Sequence, residues 1–361
     1  MNSFKSIQPR NLLPSYNPGQ EVNFDLQFPN EALKANSVYL TGKLHMAPVG
    51  LIGDEKYFDP LVGCASFMEN VIIKCDSGLF SEVITNYSRL VKVKNLGMSP
   101  DEASQGMKNS AELVCGNLEH TTLLIQNTCA NGDAVLPFSH RFHNALNSMV
   151  GDLDYSRTGR ITLSFKLPII QKCVFGATAP TSYTLSELEV HYMTVPAGSP
   201  SVSVMVVNDT QKLISTTNST VYNTFTQKID SCLLTFAPTT VETDASKNSL
   251  VCSNPNINKL QFAFNNQSNQ LVAYSLENQE ELLLSGYSVL ANKGMSADIR
   301  TKLTLAVQDP SHNFTDGYLV GLQLGQLEDF RTNALSVNMR INNLPEQLYC
   351  YMYGFGVQTL F

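Results

Sequence analysis

A chain of 361 residues, 43% hydrophobic and 15% charged, describes a globular protein with room for two sizeable cores. Its net charge of −7, with no cluster of Lys and Arg, argues against a body that grips nucleic acid by neutralising phosphates. No CxxC pair occurs among the eight Cys, no apolar run approaches the roughly 20 residues of a membrane helix, and the opening MNSFKSIQPR lacks a signal-peptide pattern. Reduced, buried thiols and folding in a cytosol-like compartment are expected.

Residues 1–20 carry Pro9, Pro14 and Pro18 and no hydrophobic period, which predicts an extended N-terminal arm. Strands follow at Glu21–Phe28, alternating through Val22, Phe24, Leu26 and Phe28, and at Ser37–His45. The stretch from Glu69 to Gly97 reads as a hairpin and a helix. Val71, Ile73 and Cys75 alternate, Asp76-Ser77-Gly78 supplies the turn, and Leu79–Ile84 returns. Asn86 or Ser88 then offers an N-cap before a short helix whose apolar side is Leu90, Val91 and Val93. Ser99-Pro100-Asp101-Glu102 predicts a further helix start. Strands are expected at His120–Asn127, at Ala134–Phe142 despite Pro137, at Arg160–Pro168 and at Tyr183–Val195, with a helical turn or two at Asn144–Val150. Pro196-Ala197-Gly198-Ser199-Pro200 has two prolines and no apolar anchor, so the domain boundary is placed there: residues 21–197, then 198–361.

The second half repeats the order of the first. Asn258–Leu290 is again hairpin plus helix, at a lag near 189 (259 − 70), with Leu282, Leu283, Leu284 and Tyr287 on the helix. Lys302–Gln308 answers Thr121–Asn127 at 181 (302 − 121). Leu335–Asn342 answers Ile161–Pro168 at 174 (335 − 161). Leu348–Val357 answers Leu188–Val195 at 160 (348 − 188). A lag this long marks two copies of a domain rather than a solenoid, and its steady fall marks loop insertions in the first copy. Strands also read at Ser201–Val207, within Thr220–Ala237 and at Tyr318–Leu327. About eight short strands per half, with a helix after the fourth, predict an all-β protein of two tandem antiparallel jelly rolls. An immunoglobulin-like sandwich would need neither the helix nor an eighth strand, and its core Trp is missing: the chain has none.

No catalytic grouping emerges, neither GxSxG, HExxH nor P-loop, and no catalytic, cofactor-binding or metal-binding residue is assigned. His140 and His143, either side of Arg141, could bind a metal if helical; two polar residues at a strand-to-helix corner are the simpler reading. Glu187 and Glu189 fall at i and i+2 on a strand, a spacing open to glycoside hydrolysis but more in keeping with a solvent-facing row. Tyr349, Tyr351, Tyr353 and Phe355 alternate with Cys350, Met352 and Gly354. Such a row can stack sugars or bases, yet both faces are apolar, which points to a central strand buried between two domains or subunits.

From about Glu21 onward, these features resemble the double jelly-roll major capsid proteins of the tectivirus–adenovirus lineage. FMENVIIKCDSGLFSEVITNYSRLVKV is similar to the hairpin and helix of that family's first roll, and LSELEVHYMTV and LYCYMYGFGVQTLF to the last strands of its two rolls. The resemblance implies a non-enzymatic structural protein without cofactors. It implies homotrimers forming pseudo-hexameric capsomers that tile an icosahedral shell, and residence in the virion after folding in the host cytoplasm or nucleus. The partners implied are the chain itself, neighbouring capsomers, vertex and minor capsid proteins and an internal membrane, with no sequence-specific nucleic acid; the arm of residues 1–20 would reach a neighbouring tile or that membrane. The competing reading is a carbohydrate-binding or hydrolase β-sandwich protein.

Overall fold

The computed structural model describes residues 2–47, 56–59, 61–98, 134–176, 182–198, 201–244, 246–264, 274–295, 297, 317–331 and 334–360. The helix start predicted at Ser99 and the strands predicted at His120–Asn127 and Lys302–Gln308 lie outside them. In chain order the first half holds β1 (Ser3–Ile7), β2 (Glu21–Leu26), β3 (Glu31–Leu33), β4 (Tyr39–Ala47), β5 (Lys56–Tyr57), β6 (Asn70–Cys75), β7 (Ser81–Ile84), α1 (Tyr87–Asn95), β8 (Ala134–Arg141), β9 (Leu153–Asp154), α2 (Tyr155–Thr158), β10 (Ile161–Lys166), β11 (Phe175–Gly176) and β12 (Ser182–Pro196). The second half holds β13 (Ser203–Ile214), β14 (Asn218–Tyr222), β15 (Lys228–Pro238), β16 (Ile257–Phe264), β17 (Tyr274–Leu276), α3 (Gln279–Asn292), β18 (Val320–Asp329), β19 (Leu335–Ile341) and β20 (Leu348–Thr359).

The second half forms two four-stranded sheets, ordered β13-β20-β15-β18 and β14-β19-β16-β17. Numbered within the roll these are 1-8-3-6 and 2-7-4-5, the two-sheet jelly-roll topology. The first half repeats it. Its second sheet is β2-β10-β6-β7. In its first sheet, β12 pairs with β1 along one edge and with β3 and β4 along the other; Thr194 meets Ser3 on one side and Leu33 on the other. β8 closes that sheet beside β4. Alternating burial drives the pairing. Val22, Phe24 and Leu26 on β2 face the core with Ile161, Leu163 and Phe165 on β10, and all six are buried.

Two expectations change. Residues 3–7 of the predicted arm are a strand, the first of the first roll, placed against β12 as β13 is placed against β20. With it counted, and the short β3 and β5 set aside, the helix follows the fifth strand of each roll, not the fourth. β1 escaped detection because it is a short edge strand whose side chains are half-buried or exposed, so its sequence shows no apolar alternation. Second, β13 runs on to Ile214, well past Val207. The polar run Asn208–Lys212 hides a strand that pairs with β20 throughout its length. Pro137 sits within β8 without breaking it, because among the described residues β8 is an edge strand and pairs only with β4.

The helices sit at matching places. Tyr87 and Tyr287, each followed by Ser and, two residues after that, by Leu, anchor α1 and α3 to their own rolls. Tyr87 Oη shares a hydrogen bond with His140 Nε2 (2.7 Å), and Tyr287 Oη donates to Gly317 O (3.1 Å). Six of the Cys (64, 75, 173, 232, 252 and 350) are described; all are buried, and desolvation pushes the Cys75 and Cys232 thiols up to about 12.

Candidate functional site

The densest polar chemistry in the described residues lies where the two rolls meet, along β7 and α1 of the first and β13, residues 239–251 and β20 of the second. Every residue of α1 except Ser88 is buried. In sequence this helix has an apolar side and three cations, and the cations are buried as well, each with a partner distant in the chain. Arg89 donates to Val251 O (2.7 Å) and to Ser249 O, and its guanidinium carbon lies 4.0 Å from the centroid of the Tyr351 ring. Tyr351 Oη in turn donates to Glu242 Oε1 (3.0 Å). Lys92 pairs with Asp59 (2.5 Å), and Asn248 of the second roll donates to the same carboxylate oxygen (2.6 Å). Lys94 donates to His143 O (3.1 Å).

The N-terminus of α1 is capped from the other roll. Asn86, the N-cap residue, makes no side-chain cap bond. Asp209 on β13 supplies the acceptor instead: its carboxylate takes the N–H groups of Thr85 (3.0 Å) and Asn86 (2.9 Å), the Thr85 hydroxyl (2.6 Å) and the Asn86 amide (3.0 Å). A carboxylate there satisfies orphan donors and complements the positive end of the helix dipole. Tyr353 Oη donates to Asn86 O (3.2 Å), and Ser148 Oγ to Met205 O (2.9 Å).

Glu82 on β7 bridges the seam from a buried position. Its two carboxylate oxygens accept N–H groups from opposite sides, Ala145 of the first roll and Val207 of the second, both at 2.8 Å. Burial raises its carboxyl from 4.5 to about 7, against the pull of these N–H groups and of Lys94. Between about pH 4.5 and 7 the folded chain keeps this proton while the unfolded chain has released it. The Glu82 contribution to stability is therefore complete at low pH and lost as pH rises through that window. Relative to a Glu82→Gln variant, the wild-type chain should lose on the order of 2 kcal/mol between pH 5 and pH 7.5 in denaturant unfolding. A relative gain with rising pH would mean that the ionised form is the one the seam stabilises.

The residues weighed in the sequence fall as follows. Tyr351, Tyr353 and Phe355 are buried on a strand paired on both sides, and their face is covered by the first roll; β20 is a central strand between the two rolls. His140 is buried on β8, and its ring stacks with that of His143 at a centroid distance of 5.9 Å. Desolvation lowers both, His140 to about 3, and the cations Lys94 and Arg141 lower His143 further. No group of three His, Cys, Asp or Glu able to hold a metal occurs among the described residues. Glu187 lies in a bulge, where the register breaks between Ser186 and Glu189, with φ of 51°; the regular i, i+2 row expected for the two carboxylates is broken there. Lys43 engages Glu187 at 2.8 Å, and His191 lies 3.7 Å from Glu189.

The buried cations of α1 are what sequence reasoning missed. The available signal was negative: YSRLVKVKN has three cations and no acid at i±3 or i±4 to pair with them, so their partners had to come from elsewhere.

No protein-family model matches the chain, and no curated protein does. Solved structures do. The PBCV-1 virus capsid superposes with a TM-score of 0.60 at 10% identity, over 99% of this chain and 94% of that one. The faustovirus major capsid protein superposes at 0.59 with 6% identity, over 99% and 90%. The mavirus major capsid protein superposes at 0.51 with 10% identity, over 98% and 86%. The likeness spans both rolls, and the fold of this chain is that of the double jelly-roll major capsid proteins.

Proposed function

We propose that this chain is the major capsid protein of a virus: a structural, non-enzymatic subunit that forms homotrimers, each a pseudo-hexameric capsomer tiling an icosahedral shell. The rolls are assigned to residues 21–197 and 198–361, the first taking its opening strand from within residues 1–20. The observation that carries the reading is the second roll itself, a complete copy of the first docked on it through unlike faces. Such a head-to-tail contact, repeated around a threefold axis, closes a ring of six near-equivalent rolls from three identical chains. The fold shared with viral capsid proteins over nearly the whole chain supports it. The partners are other copies of the chain, neighbouring capsomers, and vertex and minor capsid proteins, and the setting is the virion with or without an internal membrane. No helix among the described residues is long and apolar enough to cross a membrane.

Light scattering on the purified full-length chain tests this directly. The expected mass is near three copies of 39.8 kDa, with hexagonal outlines under negative stain. A chain that stays monomeric at every concentration and is retarded on a polysaccharide column would overturn it in favour of a carbohydrate-binding sandwich.

A further inference from the structure

The two rolls are copies, but only one of two equivalent contacts is made within the chain. The outer face of the second roll's first sheet, carrying Tyr351 and Tyr353, lies under α1. At the offset of 160 residues that relates β20 to β12 (348 − 188), these two positions correspond to His191 and Met193. Among the described residues no helix lies over that face of the first roll. Phe4, 59% exposed, stacks on His191 (5.6 Å), which stacks on Tyr39 (4.9 Å). Beside this stack opens a cavity of about 380 Å³, lined in part by Lys34, Tyr39, Arg141 and Met193. The counterpart of α1 is equally bare. Where α1 is covered nearly all round, α3 leaves Glu280, Glu281, Leu284 and Ser288 exposed along one side.

Resting on the reading of the chain as a self-assembling subunit, we infer that the exposed side of α3 in one copy docks on the Phe4–His191–Tyr39 face of the first roll of a second copy. The charges fit this pairing and discriminate against the other. In the seam within the chain, the helix brings cations and the second roll brings Asp209 and Glu242. Here the signs are reversed at the cavity: the helix brings Glu280 and Glu281, and the cavity lining brings Lys34 and Arg141, while Glu189 on the same face is turned to His191 (3.7 Å). The capping differs to match. β13 offers Asp209 opposite Tyr353, and α1 uses it as a cap. β1 offers Phe4 opposite Met193, the equivalent place, and α3 needs no outside cap because its own Asn278 accepts the N–H of Glu281 (2.8 Å). Reversed charge at two otherwise equivalent contacts keeps the two kinds of seam from substituting for one another.

The test is a charge exchange in the full-length chain, read by light scattering and by thermal unfolding. Glu280→Lys with Glu281→Lys, and separately Lys34→Glu with Arg141→Glu, should each drop the mass from three chains to one while leaving the unfolding midpoint of the monomer within a few degrees. The fourfold variant carrying both exchanges should recover the trimer. Trimers that persist in both double variants would overturn the inference while leaving the assembly reading intact. So would monomers that the fourfold variant fails to rescue. A wild-type chain that is itself monomeric would instead remove the assembly reading. If the Lys34 and Arg141 variant does not fold, the Glu280 and Glu281 variant, altered only on the exposed side of α3, decides the matter alone: a persistent trimer refutes the docking and a monomer supports it.

Discussion

Replacing Lys92 with Met is expected to cost about 3–5 kcal/mol of unfolding free energy, the range for removing one partner of a buried ion pair. The Lys92 and Asp59 side chains are 1% and 0% exposed and 2.5 Å apart. Asp59 also accepts the N–H of Leu61 (2.9 Å) and the amide of Asn248 (2.6 Å), so among the described residues the cation is one of three donors. Methionine fills the volume but leaves a carboxylate sealed from water with only neutral donors. Adding Asp59→Asn removes the stranded charge and should restore more than half of the loss. Urea denaturation of both variants decides it: a double variant no more stable than Lys92→Met would show that packing, not charge, accounts for the effect. Domain stabilities are on the order of 5–15 kcal/mol, so the single variant should lose much of its folded margin at 37 °C. Because Asn248 reaches this pair from the second roll, the loss should also loosen the seam.

Gly286→Ala should destabilise the chain, although alanine is the better helix former by about 1 kcal/mol. A Cβ at Gly286 would lie 2.7 Å from the carbonyl carbon, the oxygen and the Cβ of Leu319. From the other side, a Cβ at Gly321 would lie 2.7 Å from Ser285 O and 3.1 Å from the Cα of Gly286. Helix and strand thus touch backbone to backbone, with no flexible side chain to give way. Overpacking of this kind costs about 1–3 kcal/mol or more and outweighs the propensity gain. Gly286→Val should cost more again, and Ser288→Ala on the exposed side of the same helix should be close to neutral. Thermal unfolding of the three variants checks the order; a stabilised Gly286→Ala would mean that α3 is not seated so closely on β18.

Much of the fold was legible because its signals are local. Alternation at Val22, Phe24 and Leu26 and at Ile161, Leu163 and Phe165 marks strands wherever they end up, since period two needs only one buried face. The matching order of hairpin, helix and last strand in the two halves exposed the duplication. The two apolar faces of Leu348–Val357 gave away a strand buried on both sides, now seen as β20 between its neighbours and under α1.

What the amino-acid order determined by itself, then, was the set of elements that bury a regular apolar face, and the repetition of that set. The tertiary structure alone decided the rest. Ser3–Ile7 is a strand because the edge of β12 offers it hydrogen bonds; only Ile7 packs against the core, too little to mark an alternation in the sequence. Arg89 and Lys92 could be buried only because carbonyls near 250, the ring of Tyr351 and the carboxylate of Asp59 come to them from positions 33 to 262 residues away (351 − 89 for the ring). A hydrophobic period is a property of neighbouring residues along the chain, whereas the partner of a buried charge or of an edge strand is fixed by the folding of remote segments, and no local pattern encodes it.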